Sequence, residues 1–307
     1  MTGAARAVMR LAIATGAIVA IGAVSPVQAM TPVDPDRECV DPAGAHGNAR
    51  GHDIEREPAG MHVTRADQAR IERRMDTRLD RRADHAVAGG QVPVYVHVML
   101  DKQGNGDVTQ QQIDDQIDVL NTTFGGDESN NAADTGFTFT LAGVDRYFNN
   151  TWHRDGASTK YRSQTRQGGA DALNVWLVDF GYLGIATFPW EYAKRPNIDG
   201  IRVHYDSLPG GGIENFNLGE TATHEAGHWL GLYHTFQGGC NPPGDEVGDT
   251  PAQAAPTSGC PEGRDSCPAA GLDPIHNYMD YSYDSCYTEF TLGQSQRMDE
   301  AWTAYRG

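Results

Sequence analysis

Thr221-Ala222-Thr223-His224-Glu225-Ala226-Gly227-His228-Trp229-Leu230-Gly231-Leu232-Tyr233-His234 decides how this chain is read. Residues four apart on an α-helix share a face, so His224 and His228 can aim two imidazoles at one point. Glu225 is one residue on, rotated about 100° around the axis, and can reach a water at that point without being a ligand. The six-residue step from His228 to His234 does not suit one helix face. Gly231 resolves it: glycine tolerates positive φ, so the helix can stop there and the chain can turn His234 back. Three neutral imidazoles leave the fourth position of a tetrahedral Zn²⁺ open to water, as in a catalytic rather than a structural site. Asn217 and Glu220, three apart, form a capping-box-like pair and predict a helix start near Leu218. A surface helix that merely carries histidines is the alternative; the placed glycine and the third histidine argue against coincidence.

Further on stands Asn277-Tyr278-Met279-Asp280-Tyr281. Together, HEAGHWLGLYHTF and HNYMDYSYDSCYTEFTLGQ resemble the pappalysin family of metzincin zinc metallopeptidases, in particular its shorter secreted microbial members. The resemblance covers about residues 94–298 and is densest from Leu218 onward. It implies an α+β metzincin fold: a twisted mixed sheet with a backing helix and an active-site helix above a loop-rich, disulfide-stapled lower subdomain. It also implies that Met279 forms a methionine turn under the metal and that Tyr281 stabilises the tetrahedral oxyanion. By packing alone, Met279 would be an ordinary gap-filling core residue and Tyr281 a core-edge one.

Residues 1–29 read as a secretory signal peptide, with Arg6 and Arg10 ahead of an apolar stretch and Val27-Gln28-Ala29 offering cleavage after Ala29. The apolar stretch is too short and too rich in Gly and Ala for a spanning helix, so a membrane anchor is the weaker alternative. No membrane attachment is expected once the signal is removed. Residues 30–88 alternate arginines and acids, with too few apolar side chains for a core. They read as a pro-segment, part of it an exposed helix laced with ion pairs. Gly89-Gly90 marks a hinge before a catalytic domain at 89–307, with an upper subdomain at 89–234 and a lower one at 235–307. Residues 1–89 carry as many basic as acidic side chains, so the net charge of −17 resides entirely in the rest. A nucleic-acid binder needs a basic face, so nucleic acid is not an expected partner.

In the upper part, Val94, Val96, Val98 and Leu100 alternate as in a strand with one buried face. Residues 101–107 resemble an EF-hand loop only superficially, because Gln103 and Gln112 stand where that loop needs acids. Thr109 and Gln112 form a capping box ahead of Ile113, Ile117, Leu120 and Phe124, the apolar face of a helix. Strands are expected at 137–141, 173–178, 184–187 and 201–205. This order is α+β. His97, His153, His204 and His276 lack ligand spacing and read as core, surface or hydrogen-bonded histidines.

The lower part holds Cys240, Cys260, Cys267 and Cys286, which should be bridged in a secreted protein. Four cysteines allow three connectivities. Zinc is set aside for them because there is no C-x₂-C pair. The resemblance implies Cys240–Cys267 and Cys260–Cys286. Asp245, Asp249 and Thr250 place oxygen ligands close in sequence, and the resemblance implies a structural Ca²⁺ in this region. An exposed acidic turn is the other reading. The fifth cysteine, Cys39, stands in Arg37-Glu38-Cys39-Val40. The resemblance implies an Arg-x-Cys switch, in which Cys39 ligates zinc in the latent form. Val40 occupies the position where a glycine is often expected. An intermolecular disulfide or a disordered thiol is the alternative. Removal of the segment is expected among Arg73, Arg74, Arg78, Arg81 and Arg82.

These features describe a secreted, zinc-dependent metalloendopeptidase made as a latent zymogen, with proteins or peptides as substrates. Zinc would acidify a bound water and polarise the scissile carbonyl, and Glu225 would move the proton. An extended peptide would pair with an edge strand near Gly184-Ile185-Ala186. The resemblance implies a preference for Lys or Arg just after the cleaved bond. Asp284 and Glu289 are the candidate pocket acids, and Tyr287 is a candidate apolar wall. The alternatives are a zinc hydrolase of a non-peptide amide using the same site, or a secreted binding protein whose zinc is structural. The intact Glu225 argues against the last, since a structural site needs no base.

Overall fold

The computed structural model describes residues 63–82 and 89–307. The expected signal peptide and Cys39 lie outside these residues. α1 (Arg65–Asp80) comes first, capped by Thr64, whose hydroxyl accepts the Asp67 N–H. β1 (Gly90–Leu100) follows, then α2 (Gln110–Gly125), β2 (Phe137–Phe148), α3 (Asn150–His153), α4 (Ser158–Thr165), β3 (Leu173–Val178), β4 (Gly184–Ala186), β5 (Ile201–His204), α5 (Glu220–Trp229) and α6 (Leu292–Tyr305).

The sheet runs β2-β1-β3-β5-β4. β2, β1, β3 and β5 are parallel neighbours, and β4 is an antiparallel edge. This is the mixed sheet expected, and β4 is the edge strand expected. β2 extends well past the predicted stretch, because its pairing with β1 continues to Leu100–Phe148 after a bulge at Val94/Tyr95.

The face of β1 expected to be buried is buried, and its other face is covered as well. Val92, Val94, Val96 and Val98 join the core formed with α2, α5 and α6, while Met99 belongs to a second cluster with Tyr161, Trp176 and Val178. α4 supplies Tyr161 to that cluster, so the central parallel strands are covered on both faces. α2 is as predicted: Thr109 and Gln112 cap one another's backbone, and Gly126 (φ 74°) ends the helix. Gly89 is no hinge. Its N–H donates to Asp299, and a Cβ there would sit 2.0 Å from Gly136 O.

The expected exposed helix before the domain is docked on it instead. Ile71 and Met75, one turn apart, are buried, and Met75 packs with Ala301 and Ala304 of α6. The arginines flanking them disguise this narrow apolar stripe in the sequence.

The disulfides are Cys240–Cys267 and Cys260–Cys286, the pairing that the resemblance implied. They close loops of 27 and 26 residues across a stretch with little regular structure. Each is worth about 3–4 kcal/mol in the chain-entropy account. No helix among the described residues is long and apolar enough to cross a membrane.

Candidate metal and catalytic site

α5 places His224 and His228 on one face, and its end is a Schellman turn. The Leu232 N–H reaches Gly227 O at 3.0 Å, the Gly231 N–H reaches His228 O at 2.9 Å, and Gly231 has φ 104°. The turn returns His234 to the helix face, as its glycine predicted. The three Nε2 atoms lie 3.0–3.1 Å from one another. Three nitrogens at about 2.0–2.1 Å from a tetrahedral Zn²⁺ would be separated by about 3.3 Å.

The ring orientations suit a cation at the same point. His224 Nδ1 donates to Tyr278 O at 2.6 Å, and His228 Nδ1 donates to Leu232 O at 2.8 Å. A carbonyl can only accept, so each ring in its neutral, metal-binding form turns an Nε2 lone pair toward the shared point. Lone pairs at this separation repel unless a cation lies among them. The triad therefore fits zinc. Phe236 stacks on His234 at 4.6 Å, and the Tyr281 ring stands edge-on to it at 4.8 Å.

Two glycines let neighbours approach this helix. A Cβ on Gly227 would lie 2.5 Å from Met279 Sδ, so the bare helix surface accepts the methionine directly beneath the histidines. A Cβ on Gly184 of β4 would lie 2.4 Å from Glu225 Cγ and Oε1. Gly184 was read only as part of a strand. Its signal was available, because glycine inside a strand often marks a close approach.

The start of α5 departs from prediction. Gly219 is its N-cap, with no side-chain cap, and Asn217 donates to Gly211 O instead. The capping acid is Asp284, whose carboxylate accepts the Leu218 N–H at 2.8 Å and also the N–H groups of Gly219 and Glu220. Burial nevertheless pushes Asp284 up to about 7.

Asp284 and Tyr287 line one cavity with His224, Glu225 and Tyr281. Glu289 does not line it; its residue bridges to Asn277 by backbone pairing. Glu220, read only as a cap partner, is on the cavity wall. Burial, then the Glu128 and Asp284 carboxylates, hold Glu220 well above the usual range. Its Oε2 is buried without a hydrogen-bond partner among the described residues.

The three expected calcium ligands separate. Thr250 donates to Asp245, but Asp249 accepts from Thr291 Oγ1 at 2.7 Å and the Gly293 N–H at 2.8 Å at the start of α6. Helix N–H groups attract that carboxylate away. Behind the metal site, buried Asp199 accepts from Trp229 Nε1 and from both Arg306 Nη atoms. No local pattern in the sequence announces this anchor. His97, His153, His204 and His276 are engaged by Asn174 or by backbone carbonyls and aspartates, away from the triad.

Residues 183–303 match the Peptidase_M43 family, described as Pregnancy-associated plasma protein-A. A protein of Sordaria macrospora named extracellular metalloprotease is 48% identical over 229 residues, covering 72% of this chain and 78% of that relative. Mature mirolysin of Tannerella forsythia, solved with a cleaved peptide, is 30% identical with a TM-score of 0.61, covering 69% of this chain and 91% of that one. A mutant of its precursor, promirolysin, is 28% identical with a TM-score of 0.66, covering 78% and 90%. Identity at this level and coverage, joined to a histidine triad that fits zinc, establishes that the chain belongs to the pappalysin family of metzincin zinc metalloendopeptidases.

Proposed function

We propose that the protein is exported behind residues 1–29, stays latent through Cys39, and hydrolyses extracellular proteins with a preference for Lys or Arg just after the cleaved bond. The observation that carries the preference is the shared cavity: Glu220 and Asp284 line it together with His224 and Glu225. A cationic side chain entering there would meet two buried carboxyls and pair with them.

His224, His228 and His234 would hold the zinc, which supplies Lewis-acid polarisation of the scissile carbonyl and a more acidic water. Glu225, almost fully buried beside the triad, takes a proton from the attacking water and passes it to the leaving amine. The Tyr281 hydroxyl donates to the developing oxyanion. Among the described residues β4 pairs with β5 on one side only, and its other side offers an edge for the substrate backbone. That edge favours a peptide over a small non-peptide amide, which would have no strand to offer. Mirolysin's complex with a cleaved peptide supports the same choice.

A structural Ca²⁺ at Asp245 belongs to this proposal. Thr250 Oγ1 lies 2.9 and 2.7 Å from the two Asp245 oxygens and 3.0 Å from Val247 O, so several oxygens gather around one buried carboxylate. Asp249 is left out of that set.

The test is mass spectrometry of peptides released from a denatured protein mixture, with and without chelator. Chelator-sensitive cleavage enriched just before Lys and Arg is expected. Cleavage with no basic enrichment would leave a broad-specificity enzyme.

A further inference from the structure

We propose that α1 is a permanent part of the working enzyme, not a discarded piece of the pro-segment, and that its Glu72 positions the metal-binding turn through Arg297 and Tyr233. The contacts are specific. Glu72 accepts from Arg297 Nη2 at 2.8 Å and Nη1 at 3.0 Å, and from the Tyr233 hydroxyl at 3.1 Å. Arg297 Nε in turn donates to Gly231 O at 3.0 Å, and its guanidinium lies 4.7 Å over the Tyr233 ring. Gly231 is the glycine that ends the zinc helix, and Tyr233 precedes the third ligand, His234. One carboxylate from α1 thus grips both ends of the turn that delivers His234.

Losing α1 would leave Arg297, whose side chain is 5% exposed, without its paired carboxylate behind the metal site. A buried charge stripped of its partner is costly. The rest of α1 is tied as firmly. Gln68 Nε2 reaches Gly244 O at 2.9 Å and Glu246 Oε1 at 3.0 Å, and Arg78 Nη1 reaches Ala304 O at 2.8 Å. Arg82 donates to Gly307 O at 2.8 Å, and Gln237 Nε2 holds Val63 O at 3.2 Å. The arginines expected at the maturation cut are therefore inside this helix or at its anchored end. A peptidase that binds its substrate as an added strand would have to unwind α1 to cut there. The maturation cut accordingly falls before Val63, upstream of every one of these contacts.

The test uses the full-length precursor. After maturation, the intact mass of the active chain gives its first residue. A first residue at or before Val63 is expected; a fully active chain that starts after Arg82 overturns the proposal. Matured wild type, Glu72→Gln and Glu72→Ala are then mixed with a coloured zinc chelator. Zinc should leave the alanine variant about tenfold faster or more, with glutamine between, since it keeps one acceptor. If the alanine variant does not accumulate, the glutamine variant carries the comparison. Equal release rates in the variants and wild type overturn the positioning role.

Discussion

Gly184 on the edge strand faces Glu225 so closely that any side chain at 184 would collide with the carboxylate arm: an added Cβ lies 2.4 Å from Glu225 Oε1. The colliding atoms all belong to the Glu225 side chain and none to the backbone, so Gly184→Ala should fold and keep its zinc. The carboxylate, however, must swing out of place. A misplaced general base costs about 10²–10⁴ in rate. We expect kcat to fall by at least about a hundredfold, with a Tm within a few degrees of wild type. Wild-type kcat in this variant would show that the contact does not hold Glu225 in register.

The pocket acids give a pH dependence. Burial raises Asp284 to about 7, so its carboxyl is neutral below that pH and charged above it. KM for a peptide with Arg after the cleaved bond should fall as pH rises through about 7, and Asp284→Asn should abolish that trend and raise KM roughly tenfold. Asparagine can still cap α5, which separates recognition from folding. For stability the sign is opposite. A raised folded pKa contributes stability that is present in full below the unfolded value and is lost as pH rises through about 7.

Asp245 is also pushed up to about 7 by burial. In chelator its stabilising contribution is lost as pH rises through that value, because the charged carboxylate is buried with too little compensation. Calcium would supply the compensation. Ca²⁺ at a hundred times Kd should stabilise the fold by about 2.7 kcal/mol, and a fixed addition should raise Tm more at a pH about one unit above 7 than one unit below. Scanning calorimetry at both values checks this; no Ca²⁺-dependent shift at either would remove the site.

Cys39 lies outside the described residues, and its role is tested in solution. A Cys39→Ala precursor should be active before processing, or process itself much faster than wild type. A precursor as latent as wild type, with its segment attached, would exclude the thiolate switch.

What the sequence made legible was local. The turn at Gly231 follows from one glycine and an awkward histidine spacing, and the α2 cap follows from Thr109 and Gln112. Non-local competition decided the misses. Asn217 looked like a cap, but Asp284 arrives from another segment and takes the helix N-terminus first. Asp249 looked like a partner of Asp245, but α6 claims it. α6 itself was overlooked although Thr291 and Gln294 form a capping box like the one recognised in α2. The docking of α1 rests on Glu72 meeting Arg297, a pairing between distant residues that no periodicity encodes.

The central claim is that three histidines hold a zinc ion at which Glu225 drives peptide hydrolysis. Its most direct test is the peptide yield from a denatured protein by matured wild type and by Glu225→Ala, each first confirmed to carry about one zinc per chain. The account predicts abundant peptides from wild type and none above background from the zinc-loaded variant. Cleavage at the wild-type rate by zinc-loaded Glu225→Ala would contradict it.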